Sequence, residues 1–303
     1  MKTALVTGSA GFVGRHMTAE LRARGWDVMP CDIANAVAPG TPTARWHDAL
    51  HVFQAVTQPF DLVVHCAARA PHRAAIDGQP MNMAYNLQLD SAMFDWAVRT
   101  GQKRVLYLSS SAVYPVLLQD GDPRRLLHES ATDMVHGIEP DAAYGWTKWT
   151  GEKMAAAAAA VGLPVHVVRP FSGYGEDQGE DWPFGAFIAR ARRREDPFTI
   201  WGSGDQVRDW IHISDVIAGA LAVVDADVRE PVNLCTGRGT RMYDLVQMIC
   251  KQAGYRPTIF VQPDRPEGVA YRVGDPVRMN DIYRPKVTIE EGVARAVRQG
   301  AIM

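Results

Sequence analysis

The sequence predicts an α/β fold, in which a doubly wound parallel sheet is followed by a smaller α/β lobe. In the first half of the chain, short apolar runs alternate with longer helical stretches, as in parallel strands joined by crossover helices. Glycine and proline become dense after Arg169, where the elements also become shorter. Hydrophobic residues make up 47% of the 303 and charged residues 22%, which is typical of a globular protein. We therefore expect two units, residues 1–169 and 170–303, whose segments can interleave.

Continuous apolar runs indicate the strands, because a strand buried on both faces has no polar side. The runs lie at residues 3–7, 26–29, 61–65, 105–108 and 165–168. Helical stretches lie between them at residues 12–24, 48–57, 83–100 and 142–162. For the second unit we expect a strand at 198–201 and helices at 184–194, 213–225, 240–253 and 289–300.

Charge and hydropathy exclude several classes of function. The chain carries 32 Lys and Arg against 34 Asp and Glu, which gives no electrostatic reason to bind nucleic acid or an anionic membrane. No apolar run reaches the length of about 18 residues that a membrane helix needs. Glycines interrupt the N-terminal segment, so we do not expect it to be a signal peptide. The four cysteines are Cys31, Cys66, Cys235 and Cys250. They form no C-x-x-C pair, so no metal site is predicted. Scattered thiols of this kind suit a cytoplasmic protein.

A glycine-rich turn after the first apolar run predicts a dinucleotide site on a Rossmann sheet. The turn reads GSAGFVG and opens a helix. Gly8 permits the tight turn, Gly11 lets the backbone approach a pyrophosphate, and Gly14 lets the helix pack on the strand. Phe12 and Val13 then begin the helix, whose N–H groups and positive end favour the pyrophosphate.

Two aspartates refine the expected cofactor. Asp32 closes the second strand, 18 residues beyond Gly14. A carboxylate there accepts hydrogen bonds from both adenosine ribose hydroxyls and repels a 2′-phosphate, so the sequence favours NAD over NADP. Asp48 follows a presumed third strand, where it either contacts the adenine amine or serves as a helix N-cap.

A tyrosine and a lysine four residues apart, Tyr144 and Lys148, predict a general base. On a helix the two lie on one face, and the cation stabilises the phenolate form of the tyrosine. The lysine can also hydrogen-bond the nicotinamide ribose. Serines at 109–111 end the strand at 105–108, where hydroxyls face the crevice of a doubly wound sheet. One of them could hold a substrate hydroxyl beside Tyr144, although serine is also a common turn residue.

These motifs together resemble the extended short-chain dehydrogenase/reductase family, particularly its NAD-dependent nucleotide-sugar epimerases and dehydratases, such as the UDP-glucose and UDP-galactose 4-epimerases. The N-terminal marks are the glycine loop, Asp32, the His65-Cys66-Ala67-Ala68 stretch, Asn86, and the segments SSSAVY and YGWTK. The C-terminal marks are RPFSGYG from Arg169, GSGDQVRDWIHISDV from Gly202 and VNLCTG from Val232. The resemblance covers nearly the whole chain.

The resemblance implies a role for each matching residue. Ser110, Tyr144 and Lys148 would be catalytic, with Tyr144 as the base. Cofactor contacts would add Ala67, Ala68 and Asn86 to the residues above, together with Tyr144 and Lys148. Substrate contacts would fall on Ser110, Ser111, Ser172, Arg208 and Arg265.

Two arginines are the candidates for holding the substrate diphosphate. Arg208 matches the family arginine that does so, and a guanidinium fork suits the task. Arg265 is a weaker second clamp, because the family pattern R-x-G-D is altered there to Arg265-Pro266-Glu267-Gly268. A surface ion pair is the alternative for both.

Three departures from the family pattern bear on the reaction. Family dehydratases carry an Asp-Glu pair where this chain has Ser111 and Ala112, so the acid and base that eliminate water are missing. Ser172 replaces an asparagine that usually contacts the substrate. Pro115 replaces a glycine, so the loop at 116–128 is expected to differ in shape and to be able to move.

The sequence therefore predicts an NAD-dependent epimerase that inverts C4 of a nucleoside diphosphate hexose through a transient 4-keto sugar. The alternatives are a 4-ketosugar reductase or a dehydratase, and a non-catalytic Rossmann module that senses NAD, which the intact Tyr and Lys disfavour. The resemblance also implies a homodimer formed by the helices at 83–100 and 142–162. Met93, Trp96, Ala97 and the alanine run at 155–160 fit such a seam, and they fit a monomer core as well.

Overall fold

The computed structural model describes residues 1–35, 48–69, 81–122, 125–132 and 139–299. The third strand presumed before Asp48 falls within residues 36–47 and so lies outside the described residues. In chain order the described strands are β1 (Thr3–Thr7), β2 (Asp27–Cys31), β3 (Leu62–His65), β4 (Val105–Leu108), β5 (Val165–Pro170), β6 (Ser172–Tyr174), β7 (Phe198–Trp201), β8 (Val207–His212), β9 (Val232–Leu234), β10 (Gly239–Arg241), β11 (Ile259–Gln262) and β12 (Tyr271–Arg272). The described α-helices are α1 (Phe12–Ala23), α2 (Ala49–Ala55), α3 (Asn82–Arg99), α4 (Ala142–Ala160), α5 (Pro183–Arg192), α6 (Ile213–Asp225), α7 (Met242–Gln252), α8 (Val277–Asn280) and α9 (Ile289–Gln299).

A parallel sheet of six strands forms the centre of the fold, in the order β2-β1-β3-β4-β5-β9. The predicted parallel α/β fold is therefore confirmed. Thr7 pairs with both Cys31 and His65, so the carboxyl ends of the first three strands align at one edge. The segments that follow the strands meet at this edge, which is where doubly wound sheets bind ligands.

Helices cover both faces of the sheet, because its strands are apolar on both sides. On one face α1 and α6 pack against the strands through Met17, Leu21, Val216 and Ala220. On the other face lie α2, α3 and α4, and their buried side chains include Phe53, Met93 and Ala155. The two faces thus carry separate apolar cores that share the strands between them.

The residues expected at a dimer seam lie instead in the core of the monomer. Met93, Trp96 and Ala97 are fully buried within the chain, and Ala155 and Ala158 of α4 pack in the same core. Of the two alternatives for these residues, the structure selects the monomer core. A dimer itself stays a prediction.

The second unit is built around smaller sheets. Strand β8 pairs with β6, β10 and β12, and β7 pairs with β11. Helices α5, α7 and α9 enclose a further apolar core that includes Phe184, Phe198 and Ile249. Because α6 packs on the main sheet and β9 is its last strand, the chain beyond residue 170 contributes to both units.

The part of the chain that the structure describes has neither a membrane helix nor a metal cluster. No described helix combines the length and apolarity needed to cross a bilayer. No three described His, Cys, Asp or Glu side chains gather so as to hold a metal ion. All four cysteines carry free thiols.

Candidate active site

The glycine loop after β1 has the shape that close approach of a ligand requires. Gly8 adopts a φ of +69°, and a Cβ there would lie 2.7 Å from the backbone nitrogen of Ala67. A Cβ at Gly14 would overlap the carbonyl oxygen of Gly8, so the start of α1 packs directly on the turn. Gly11 is the N-cap of α1 and supplies no side-chain acceptor to the first turn. This leaves the positive end of the helix available to an anion.

Asp32 stands beside this loop at the end of β2. Its Oδ2 accepts a hydrogen bond from the Ala10 N–H at 2.9 Å, and its Oδ1 accepts one from the Ala34 N–H at 2.8 Å. The two bonds orient the carboxylate next to the glycine turn, where a ribose would lie. Asp48 is the N-cap of α2, since it accepts a hydrogen bond from the Leu50 N–H at 3.0 Å, and its contact with adenine stays a prediction.

The loop after β3 is held from two sides. Asn86 is almost fully buried, and its side-chain amide accepts from the Arg69 N–H at 2.7 Å and donates to the Arg69 carbonyl at 3.0 Å. The Ala67 N–H donates to Thr7 Oγ1 at 3.3 Å. Asn86 therefore shapes the loop that carries Ala67 and Ala68, and direct cofactor contacts of all three stay predictions. Together with the glycine cradle and Asp32, this edge of the sheet fits a dinucleotide.

Ser110 and Tyr144 line the same cavity. Ser110 follows β4, and its Oγ accepts a hydrogen bond from the Ala112 N–H at 3.1 Å, which starts a short 3₁₀ helix. Tyr144 lies in the first turn of α4. Lys148, one turn later, does not line the cavity: it is 3% exposed and its Nζ donates to the Leu108 carbonyl at 2.8 Å. The lysine thus packs against the end of β4.

The cavity has a volume of about 460 Å³, and both units contribute to its wall. The first unit supplies Ser110, Ser111, Ala112, Asp141 and Tyr144. The second unit supplies, among others, Ser172, Trp210, Arg208 and Arg272. The predicted catalytic hydroxyls and the predicted substrate residues Ser111, Ser172 and Arg208 are therefore gathered in one place.

The structure places Arg265, the second predicted clamp, next to the cavity residues Trp201 and Pro266. Arg265 is not part of the cavity wall; its guanidinium lies 5.6 Å from the ring centroid of Trp201, as in a cation–π contact. Arg272 and Arg190 line the cavity together with Arg208.

Arg272 is held in place by two polar side chains. Its Nε donates to Gln119 Oε1 at 2.6 Å, and its Nη2 donates to Asp141 Oδ2 at 2.8 Å. Asp141 lies three residues before Tyr144, so the ion pair joins the arginine to the start of the catalytic helix. Arg208 is oriented by its bonds to the backbone carbonyls of Val207 and Glu267.

Asp209 ties the two arginine-bearing segments together. Strand β12 pairs with β8, which places Arg272 opposite Arg208. Asp209 is fully buried and accepts hydrogen bonds from the N–H groups of Thr236, Gly237 and Gly274. Burial raises the pKa of Asp209 to about 6, although these bonds oppose the shift.

A buried ion pair supports the floor of the site, and the sequence analysis did not identify it. Arg169 at the end of β5 donates through Nε and Nη2 to Glu152 of α4, at 2.8 and 2.6 Å. Ser109 Oγ donates to the same carboxylate at 2.5 Å. Burial alone would lower the pKa of Arg169, but Tyr114 and Glu152 beside it raise that pKa. The pair fixes the segment from which Ser110 projects.

The comparisons with known proteins agree with this geometry. Residues 4–235 match the model of the NAD dependent epimerase/dehydratase family. The chain belongs to this family. NAD, the cofactor predicted from the glycine loop and Asp32, is thereby confirmed as the cofactor of the family.

The matches to curated relatives cover nearly the whole of this chain. The dTDP-4-dehydro-6-deoxy-D-allose reductase of Streptomyces bikiniensis is 27% identical, over 93% of this chain and 90% of its own. A putative UDP-glucose 4-epimerase of Methanocaldococcus jannaschii is 26% identical, over 97% of this chain and 96% of its own.

Solved structures have the same fold. MoeE5 in complex with UDP-glucuronic acid and NAD is 27% identical with a TM-score of 0.81, and the match covers 98% of both chains. The UDP-glucose 4-epimerase of Thermus thermophilus in complex with NAD has a TM-score of 0.82 at 22% identity, over 99% of both chains. The similar structures therefore confirm the fold, while the similar sequences span more than one reaction.

Proposed function

We propose that this member of the family is a nucleotide-sugar epimerase that inverts C4 of a nucleoside diphosphate hexose. The observation that carries the proposal is that one cavity wall brings the hydroxyls of Ser110 and Tyr144 together with the guanidinium groups of Arg208 and Arg272. Hydroxyls of this kind exchange a proton with a sugar hydroxyl, and guanidinium groups bind a diphosphate. The likeness to the putative UDP-glucose 4-epimerase supports the same activity.

Each side chain has a separate task in the proposed reaction. Tyr144 removes the proton from the 4-hydroxyl of the sugar, and Ser110 hydrogen-bonds the same oxygen. Lys148 stabilises the phenolate of Tyr144 from behind. Arg208 and Arg272 keep the diphosphate in place while the sugar turns within the cavity. NAD, which the glycine loop and Asp32 would hold, would accept the hydride from C4 and give it back to the same carbon.

The residues next to Ser110 favour epimerisation over dehydration. Ser111 and Ala112 stand where dehydratases of the family carry an acidic pair, and both line the cavity. The Asp141 N–H donates to the Ala112 carbonyl at 2.9 Å, so a carboxylate does lie nearby. However, that carboxylate is paired with Arg272. An acid held in an ion pair is a poor proton donor for eliminating water.

A panel of UDP-, dTDP-, GDP- and CDP-hexoses, with products identified by NMR, tests the proposal. We expect one C4 epimer pair to interconvert without net reduction of NAD. Tyr144→Phe should reduce the rate by about 100-fold or more, because it removes the general base, while NAD binding persists. Tyr255→Phe is the control, since Tyr255 is outside the cavity wall. Unchanged turnover in Tyr144→Phe would refute the assignment.

Reduction of a 4-keto sugar is the second candidate, and the 27% identical allose reductase supports it. The same cavity wall suits it, because Tyr144 would then donate a proton to the keto oxygen. Stoichiometry separates the two activities: a reductase consumes one reduced cofactor per product, whereas an epimerase consumes none.

We also propose a homodimer that uses the exposed face of α3 and α4. Val98 of α3 is 42% exposed and Trp146 of α4 is 37% exposed, and four alanines of the run at 155–160 are also exposed. Sedimentation at micromolar concentration should give the mass of a dimer. A monomer alone would contradict the proposal.

A further inference from the structure

A buried carboxylate behind the catalytic helix has no part in the mechanism above. Asp90 lies on α3 and is 1% exposed. A charge removed from water to this degree is stable only when cations and hydrogen-bond donors surround it. The donors and charges around Asp90 therefore indicate what it does.

A chain of hydrogen bonds leads from the cofactor loop to Asp90. The Ala67 N–H donates to Thr7 Oγ1 at 3.3 Å, and the Thr7 hydroxyl lies 2.8 Å from His65 Nδ1. His65 Nε2 lies 3.1 Å from Asp90 Oδ1, and the Tyr107 hydroxyl donates to Asp90 Oδ2 at 2.5 Å. We assign the His65 proton to Nε2 from this network, so that Nε2 donates to Asp90 and Nδ1 accepts from the Thr7 hydroxyl.

Lys148 faces this pair from α4. Its Nζ lies 4.9 Å from the ring centroid of Tyr107 and has the Leu108 carbonyl as a hydrogen-bond acceptor. A Cβ at Gly151 would overlap the Tyr107 hydroxyl and lie 2.8 Å from Asp90 Oδ2. Helix α4 is thus pressed directly against the Asp90–Tyr107 pair.

The contacts and charges around Asp90 indicate which side chain it stabilises. Burial would raise the pKa of Asp90, but the Lys148 ammonium and the bonds to His65 and Tyr107 outweigh burial and hold that pKa below its usual range. Glu152 of α4 is engaged by Arg169 and Ser109. The groups that face Asp90 are therefore His65 of β3, Tyr107 of β4 and Lys148 of α4, with Glu152 and Tyr144 acting on Tyr107 from α4.

We propose that Asp90 is a positioning residue, the buried anion that balances the Lys148 ammonium across the ring of Tyr107, whose hydroxyl donates to Asp90 and whose ring lies 4.9 Å from Lys148 Nζ. Lys148 is 3% exposed, and a charge removed from water to this degree is costly unless an opposite charge lies near it. A neutral Lys148 would no longer stabilise the Tyr144 phenolate. The consequence for turnover rests on the proposed function, whereas the consequence for the ionisation of Tyr144 does not.

The experiment measures the ionisation of Tyr144 directly. The near-ultraviolet phenolate absorbance is titrated with pH in the protein and in its Tyr144→Phe variant, and the difference isolates Tyr144. In Asp90→Asn we expect the midpoint to move upward by about one pH unit or more, because Lys148 loses its counter-ion. An unchanged or lower midpoint would overturn the proposal, since Asp90 would then act through its own charge on Tyr144 or not at all.

Asp95→Asn is the matched control. It makes the same chemical change on the same helix, but the Asp95 side chain is 78% exposed and lies 3.7 Å from Arg99. In Asp95→Asn, the midpoint of the Tyr144 titration should equal that of the unaltered protein. An equal shift in both variants would mean that any lost charge on α3 has this effect, and it would overturn the assignment to Asp90.

A stability measurement covers the case in which Asp90→Asn fails to fold. Removing both charges of a buried pair costs less than removing one. The double variant Asp90→Asn/Lys148→Met should therefore be more stable than Asp90→Asn alone, and equal or lower stability would overturn the pairing. If the unaltered protein turns over no nucleotide sugar, the proposed function fails, while the titration still decides the role of Asp90.

Discussion

Replacing Glu152 with glutamine would remove the charge that balances a buried arginine. The Arg169 and Glu152 side chains are 2% and 8% exposed, and two N–H···O contacts of 2.8 and 2.6 Å join them. Breaking a buried pair by neutralising one partner costs about 3–5 kcal/mol, because the other charge stays desolvated.

The geometry puts Glu152→Gln near the lower end of that range. Arg169 keeps its bonds to the Glu129 carbonyl, Thr132 Oγ1 and the Tyr114 hydroxyl, and glutamine retains one acceptor oxygen. We therefore expect a loss of about 3 kcal/mol in the free energy of unfolding. For a chain of this length the melting temperature should fall by about 5 °C.

Urea unfolding and thermal melting of the protein without cofactor measure this loss. Glu20→Gln is the control: Glu20 Oε1 lies 2.8 Å from Arg24 Nε, but the two side chains are 41% and 36% exposed. Solvent screens such a pair, so the control should lose about 0–1 kcal/mol. If Glu152→Gln loses less than about 1 kcal/mol, burial does not amplify the interaction and the reasoning is refuted.

Two further predictions test the site and the fold. Arg272→Lys should raise the KM for the nucleotide sugar by about tenfold or more, because the planar fork that binds a diphosphate is lost. Arg265→Lys, the control, should change this KM by less than about twofold. Both values are measured by steady-state kinetics, and equal effects of the two variants would contradict the choice of Arg272. Burial lowers the pKa of His166, whose Nδ1 donates to the Val228 carbonyl. The unfolded chain thus binds a proton more readily than the folded one, so stability should fall as the pH drops below about 6.5. Urea midpoints should show a weaker pH dependence in His166→Asn, and identical slopes in the two proteins would exclude this role.

Local patterns accounted for the predictions that the structure confirms. Residues 3–7 were predicted as a strand from their apolar run and are strand β1. The glycine loop could be located because the requirement for positive φ at Gly8 and for close packing at Gly14 is met within a few residues. Tyr144 and Lys148 could be placed one turn apart on one helix, because their spacing in the sequence sets this relation.

Contacts between distant segments could not be inferred in this way. Arg272 and Asp141 are 131 residues apart and meet only because β12 is laid beside β8. Met93 and Trp96 have the same apolar character whether they face a partner subunit or their own sheet. Asp90 looks in the sequence like any polar residue of a helix, although it is buried between His65 and Tyr107.

The amino-acid sequence by itself determined the parallel sheet, the dinucleotide loop and the tyrosine–lysine pair, because backbone conformation, strand burial and helical spacing depend on neighbouring residues. The tertiary structure alone decided which arginine joins the cavity, which carboxylates are buried and which helix faces are covered. These outcomes depend on desolvation and on charge pairing across the folded chain, and neither exists until the segments have packed together.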